Sequence, residues 1–204
     1  IQEILTDRIG LAKTFKHSIA LTILQGKEFI VNILLSSEHD RDNLLSLEKE
    51  YVKSFSKKSA NYPFAIYKVI KQSSNFYLGL YDLCFQETNE VEKSLPYISG
   101  TPYIAEHRFI QSLIFTKRYN SSFVEKEESI LDAINNNLAQ LQNWANFCPE
   151  NYLHKCQLIE AEKFRIQGDF LQALKFYDLS IENAKENGYI QNAALANELA
   201  AIML

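Results

Sequence analysis

Residues 151–188 read NYLHKCQLIEAEKFRIQGDFLQALKFYDLSIENAKENG, and the spacing of apolar side chains in this stretch decides the fold. The spacing predicts a helix from Asn151 to Gln167 with Leu158, Ala161 and Phe164 on one face. Gly168-Asp169 then supplies a tight corner, because glycine accepts the left-handed backbone that ends a helix and aspartate caps the next one. In the second helix Phe170, Ala173, Leu174, Tyr177, Ser180, Ile181 and Ala184 recur at spacings of three and four, giving one continuous contact stripe. Small Ala173, Ser180 and Ala184 allow close approach of a neighbouring helix, while Phe170 and Tyr177 fill the space between backbones. Gly188 ends this helix and Tyr189 opens another.

Composition extends the helical reading to the whole chain. Only 6 Gly and 4 Pro punctuate 204 residues, too few turn formers for a many-stranded sandwich or barrel. With 47% hydrophobic and 23% charged residues the chain folds around a sizeable core. Its net charge of −4 leaves no basic surplus for nucleic acid. Cys84, Cys148 and Cys156 form no paired framework, which suits reduced thiols in a cytoplasmic setting. The reading expects no membrane partner, because no run approaches the roughly 18 to 20 apolar residues of a span and Asp7, Arg8, Lys13, Lys16 and His17 interrupt the start. Met203 is the sole methionine, and Ala193–Leu204 stops within an uncapped apolar pattern, so the chain reads as a piece of something longer.

Upstream, two helical stretches are expected over Ile1–Leu24 and Asp42–Phe55, separated by the apolar run Phe29–Leu35 and the polar segment Ser36–Asp40. In the second, Leu44, Leu45, Leu47, Tyr51 and Phe55 form the packing stripe. Asn61–Gln72 and Phe76–Lys93 read as a helix pair turning at Ser73-Ser74-Asn75. Pro96, Gly100 and Pro102 mark a loop. A helix runs from Ile104 to Arg118, and after Tyr119-Asn120-Ser121 the capping box of Ser122 and Glu125 starts another, which reaches Phe147. This divides the chain into an N-terminal helical segment (1–60), helical hairpins (61–148) and a repeat-like end (149–204).

Ala161, Phe164, Gly168-Asp169-Phe170, Ala173-Leu174, Tyr177 and Ile181 resemble one tetratricopeptide repeat, with Ser180 where the pattern has Ala and no proline over Lys185–Gly188. One period of about 34 residues onward, Leu195 stands opposite Ala161, making Gln191–Leu204 the first helix of a further unit. A broader resemblance rests on Pro96-Tyr97-Ile98, Gly100, Glu106-His107-Arg108-Phe109, Ser112-Leu113, Trp144-Ala145, Cys148 to Tyr152, His154-Lys155, Glu160-Ala161-Glu162, Glu186 to Ile190 and Ala194 to Ala201. These residues are similar to the helical-repeat region of large bacterial, often cyanobacterial, hybrid signalling proteins. Those proteins combine a serine/threonine kinase, an AAA-like ATPase, a GAF sensor and a histidine kinase. The likeness implies an all-α, right-handed solenoid of antiparallel hairpins acting as a non-catalytic scaffold or regulatory arm. Its partners would be protein segments or adjacent domains of the same polypeptide, and the C-terminal helix could pair two copies. The alternative is a small-ligand sensor with an aromatic-lined pocket between helices.

Residues capable of chemistry are sparse. No two glycines fall within fifteen residues of each other, so no glycine-rich phosphate cradle exists, and the kinase catalytic loop and Asp-Phe-Gly are missing. Neither catalytic, cofactor-binding nor metal residues are assigned. Cys148, His154 and Cys156 cluster in sequence but fit no zinc spacing and no oriented Cys-His nucleophile, so buried thiols and a hydrogen-bonded histidine are expected. Glu106 and His107 point about a hundred degrees apart, which suits a polar contact between helices. Glu160 and Glu162 also diverge and suit a salt bridge to the following repeat. Asn120-Ser121-Ser122 matches a glycosylation triplet that a turn and cap explain. Tyr62, Phe64, Tyr67, Phe76, Tyr77 and Tyr81 fit internal packing or a peptide groove.

Overall fold

The computed structural model of the chain describes residues 2–36, 46–53, 55, 60–119 and 127–204. Every regular element among them is helical: α1 (Gln2–Thr14), α2 (Ser18–Leu35), α3 (46–53), α4 (Asn61–Tyr77), α5 (Tyr81–Glu92), a 3-10 turn at Leu95–Ile98, α6 (Pro102–Arg118), α7 (Glu127–Ala145), α8 (Pro149–Ile166), α9 (Phe170–Glu186) and α10 (Ile190–Met203). The expected all-α class is correct. The helices fall into two compact units, one ending at Ile104 and the other starting at Ala105.

The first unit departs from the sequence reading at its start. The single helix expected over Ile1–Leu24 is replaced by α1 and the start of α2, with the break where Lys16 takes φ 53° and the His17 Nδ1 accepts from the Ala20 backbone N–H at 3.2 Å. Conversely, α2 runs unbroken across Gln25–Glu28 to Leu35. The expectation that no run reaches the length of a membrane span fails here: α2 is 18 residues, long and apolar enough to cross one. Lys27 and Glu28 are isolated charges within one helix, not a boundary. In this structure α2 packs on α1 and α4.

Gly26 explains the continuity. Tyr51 of α3 donates its hydroxyl to the Thr22 carbonyl at 2.7 Å, crossing α2 at Gly26, where an added Cβ would lie 2.6 Å from the Tyr51 oxygen. The glycine makes room for a ring. Around Tyr51 stand Phe29, Phe55 and Tyr67 at centroid distances of 5.1, 4.8 and 5.2 Å. Leu47, expected on the packing stripe, is exposed, while Leu44 and Leu45 lie outside the described residues.

The turn between α4 and α5 lies later than Ser73-Ser74-Asn75. Ser73 and Ser74 return their hydroxyls to the carbonyls of Val69 and Ile70, at 3.1 and 2.9 Å, and stay helical. The chain turns instead at Gly79, whose φ of 76° a side chain disfavours. Ala65, Ile66, Val69, Val91, Leu95 and Ile98 form the core between α4, α5 and the 3-10 turn, so the proline-marked loop is itself a packed element.

In the second unit the corner at Gly168 (φ 83°) and the Asp169 cap, accepting from the Gln172 N–H at 3.2 Å, stand where the sequence places them. Ala173, Tyr177, Ser180 and Ala184 are fully buried against α8, whose Leu158 and Ala161 are likewise buried. Phe170 is 57% exposed and fills no gap between backbones. Its expected role falls to Phe176, stacked on Phe164 at 5.4 Å. The capping box and the glycosylation triplet at 120–125 lie outside the described residues.

Gly26→Ala should destabilise the first unit by about 1–3 kcal/mol, since the new methyl drives Tyr51 off the Thr22 carbonyl. Gly10→Ala, with open space around its Cβ, should be neutral or gain up to about 1 kcal/mol. Urea unfolding of the two variants checks the contrast.

Candidate functional site

A buried carboxylate needs several charged or polar partners to offset its desolvation, and the second unit is organised around one. Glu162 of α8 has no exposed surface. Arg165, one turn on, donates Nε and Nη2 to its two oxygens at 2.9 and 2.8 Å. The Tyr177 hydroxyl of α9 donates to Oε1, and Thr116 Oγ1 of α6 lies 2.9 Å from Oε2. Three helices therefore meet on one side chain. Burial alone would raise the Glu162 pKa, but the Arg165 bonds and charge, with Tyr177 and nearby Lys117, hold it below the ordinary carboxylate value. Burial lowers the pKa of Lys117, an effect the Glu162 charge opposes and Arg165 reinforces.

A second polar seam joins α6 to α8. Lys155 is buried, donates to Glu106 at 2.6 Å and sits 4.6 Å above the Phe109 ring. The expected contact of Glu106 with another helix is thus present, and His107 is fully buried. The Glu106–Lys155 and Thr116–Glu162 contacts advance in the same direction along both helices, so α6 and α8 run parallel.

The same relation repeats between α8 and α10. His154 Nε2 lies 2.9 Å from the Asn192 amide nitrogen, and Tyr189 donates its hydroxyl to Asn151 at 2.6 Å, both pairs separated by 38 residues. The Tyr189 ring stacks on His154 at 4.4 Å. The Asn192 amide donates, so Nε2 is the acceptor and Nδ1 carries the proton, with no hydrogen-bond partner for that nitrogen. Burial, with a smaller contribution from Lys155, lowers the His154 pKa to about 4.

Antiparallel partners close the arrangement from behind. Ser180 of α9, standing where the repeat pattern has alanine, donates to the His154 carbonyl at 2.8 Å. Asn183 donates to Gln157 at 3.2 Å, and Asn137 of α7 donates to Gln111 of α6 at 2.9 Å, each across 26 residues. Sequence reasoning missed this pairing. Its signal was the equal Gln-to-Asn spacing, invisible until one knows which faces meet.

The soft side chains do not converge. His154 and Cys156 project about 200 degrees apart around α8. Cys148 contacts Glu150 and Asn151 at 3.3 and 3.5 Å. Among the described residues no group of three His, Cys, Asp or Glu is placed to hold a metal. Burial pushes the Cys156 thiol up to about 12, and the hydrogen bond to Glu150 raises Cys148, so neither offers a thiolate at neutral pH. The expected salt bridge from Glu160 or Glu162 to the following repeat is wrong. Glu160 pairs with Lys163 on its own helix at 3.5 Å, while Glu162 reaches back to α6 and across to α9.

The aromatic row of the first unit divides. Phe64 and Tyr67 join the Tyr51 cluster and wall a cavity of 440 Å³ shared with Lys68, Lys71, Glu87 and Glu90. Phe76, Tyr77 and Tyr81 pack among themselves, and Tyr62 is 41% exposed. Buried Glu48 accepts from the Tyr67 hydroxyl and from Lys71 at 2.9 Å. The six aromatics thus form no single groove.

Glu162→Gln, which removes the carboxylate that Arg165 donates to with both Nε and Nη2, should destabilise the chain by roughly 3–5 kcal/mol. Tyr177→Phe should cost about 1–3 kcal/mol, and a double-mutant cycle in urea should show the two effects coupled. Acid exposes His154 separately. Its folded pKa lies below the unfolded value, so its stabilisation is complete above about pH 6.5 and is lost as pH falls toward 4 and below. Glu162, with a depressed folded pKa, adds a further loss once pH falls below its unfolded value of 4.5. The urea midpoint should therefore drop between pH 7 and pH 4.5, and His154→Gln should remove most of that drop. Compared with known proteins, the chain matches no family model, no curated protein and no solved structure.

Proposed function

We propose that the chain is a non-catalytic scaffold or regulatory arm of a larger cytoplasmic signal-transduction kinase. It works through contacts with adjacent domains of the same polypeptide or with other protein segments. The arrangement proposed is a tetratricopeptide-like stack of antiparallel hairpins. The observation that supports this reading is the parallel succession of α6, α8 and α10, joined by Glu106–Lys155, Thr116–Glu162 and His154–Asn192. These bonds consume polar groups in holding helix to helix. They leave the outer side of α10, with Gln191, Ala194, Asn197 and Glu198 exposed, for recognition. A stack of this kind transmits a bias because each hairpin touches only its neighbours, and small rotations add along it. The resemblance to hybrid signalling kinases supplies the setting, and the net charge of −4 disfavours nucleic acid as the partner.

The test begins with the reading frame around this stretch, where the proposal expects kinase and ATPase motifs before it and a phosphoacceptor helix after it. In that whole protein, Gln191→Arg combined with Ala194→Arg should change autophosphorylation several-fold while the melting temperature stays within about 2 °C. Unchanged autophosphorylation in a folded variant overturns the reading. Deleting residues 169–184 should uncover Leu158 and Phe164 and abolish the cooperative melt. A normal transition after that deletion would count against the stack.

A further inference from the structure

The first unit holds an open cleft of 450 Å³ at the edge of its core, floored by buried Ile30 and by Ile70 and Tyr103, which pack against the core, and the scaffold reading does not use it. Ile4 and Leu5 of α1, Ile30 and Val31 of α2 and Ile70 of α4 form its walls. Only two of its lining residues carry polar side-chain atoms: Lys27, whose Nζ stands 5.8 Å over the Tyr103 ring, and Tyr103 itself. Ile30 is buried at 5% exposure and Ile4 is a 64% exposed rim. Apolar walls so open to water are costly, and a volume in this range suits a small molecule.

Charge settles the chemistry of the occupant. Lys27 has no ion-pair partner among the described residues. The carboxylate beside it in sequence, Glu28, does not line the cleft; it lines an adjoining groove with Gln2, Thr6 and Asn32, on the far side of the shared Leu5 and Val31. An aliphatic wall with one ammonium matches a ligand of inverse design, a hydrocarbon chain ending in an anion. A protein helix fits less well: at about 10 Å across it would fill this volume in roughly one turn, too little to seat an i, i+4, i+7 face.

We propose that this cleft binds a single-chain amphiphile with a carboxylate head, the chain lying against Ile30, Val31 and Ile70 and the head paired with Lys27. The site is independent of the scaffold reading, and either can fail alone. Its test uses dodecanoate, dodecanol and dodecyltrimethylammonium, each below its micelle concentration, titrated calorimetrically into the chain. Saturable one-to-one binding of dodecanoate, about tenfold tighter than the other two probes, is expected, a ratio equal to about 1.4 kcal/mol. Lys27→Met should erase that preference and leave the unliganded melt unchanged. Val31→Trp, which fills the cleft and keeps Lys27, should abolish binding of all three. The absence of saturable binding, equal affinity for the three probes, a preference that survives Lys27→Met, or undiminished binding by Val31→Trp overturns the proposal.

Discussion

The second unit depends on the burial of Glu162. A carboxylate with no solvent contact costs several kcal/mol before any partner is counted, so it survives only where α6, α8 and α9 each deliver a donor in register. The packing of Leu158, Ala161, Ala173 and Ala184 brings the helices together. The Glu162 cluster decides how far each may slide, because a shift of one residue along α9 would take Tyr177 away from it. Apolar contact is tolerant of such shifts and a four-bond carboxylate is not.

The joint between α8 and α10 is made differently. Its polar pair is neutral, His154 with Asn192, and the stack of Tyr189 on the imidazole excludes water from it. Neutrality matters at that point because Lys155 is the next residue and already holds its own carboxylate, Glu106. A second charge beside it would lack a counter-ion. The seam between α6 and α8 is therefore ionic and the seam between α8 and α10 is amide to imidazole, two solutions to the same need of pairing polar groups between parallel helices.

In the first unit an aromatic cluster has the organising part. Tyr51 crosses α2 at Gly26, reaches the Thr22 carbonyl and stands against Phe29, Phe55 and Tyr67. Of the rings that sequence reasoning offers as a peptide groove, Phe64 and Tyr67 join this packing, while Phe76, Tyr77 and Tyr81 pack among themselves. The open surface lies elsewhere, on the aliphatic cleft beside Lys27, which carries only one aromatic and so gave no aromatic signal to find.

The spacing of apolar residues determined the helices themselves, the corner at Gly168-Asp169 and the buried stripe from Ala173 to Ala184, because a helix repeats every 3.6 residues whatever it packs against. Breaks read from residue type alone were misplaced. Gly26 resembles a helix stop until Tyr51 lies over it, and Ser73 and Ser74 resemble a turn until their hydroxyls bond back to their own helix. Only the tertiary structure decided that Glu162 reaches back to Thr116 and across to Tyr177, that His154 faces Asn192 instead of Cys148 or Cys156, and that Phe176 packs where Phe170 was expected. Periodicity is a local property of the chain. The choice of partner for a buried polar atom is a competition among helices far apart in sequence, and only their assembled geometry resolves it.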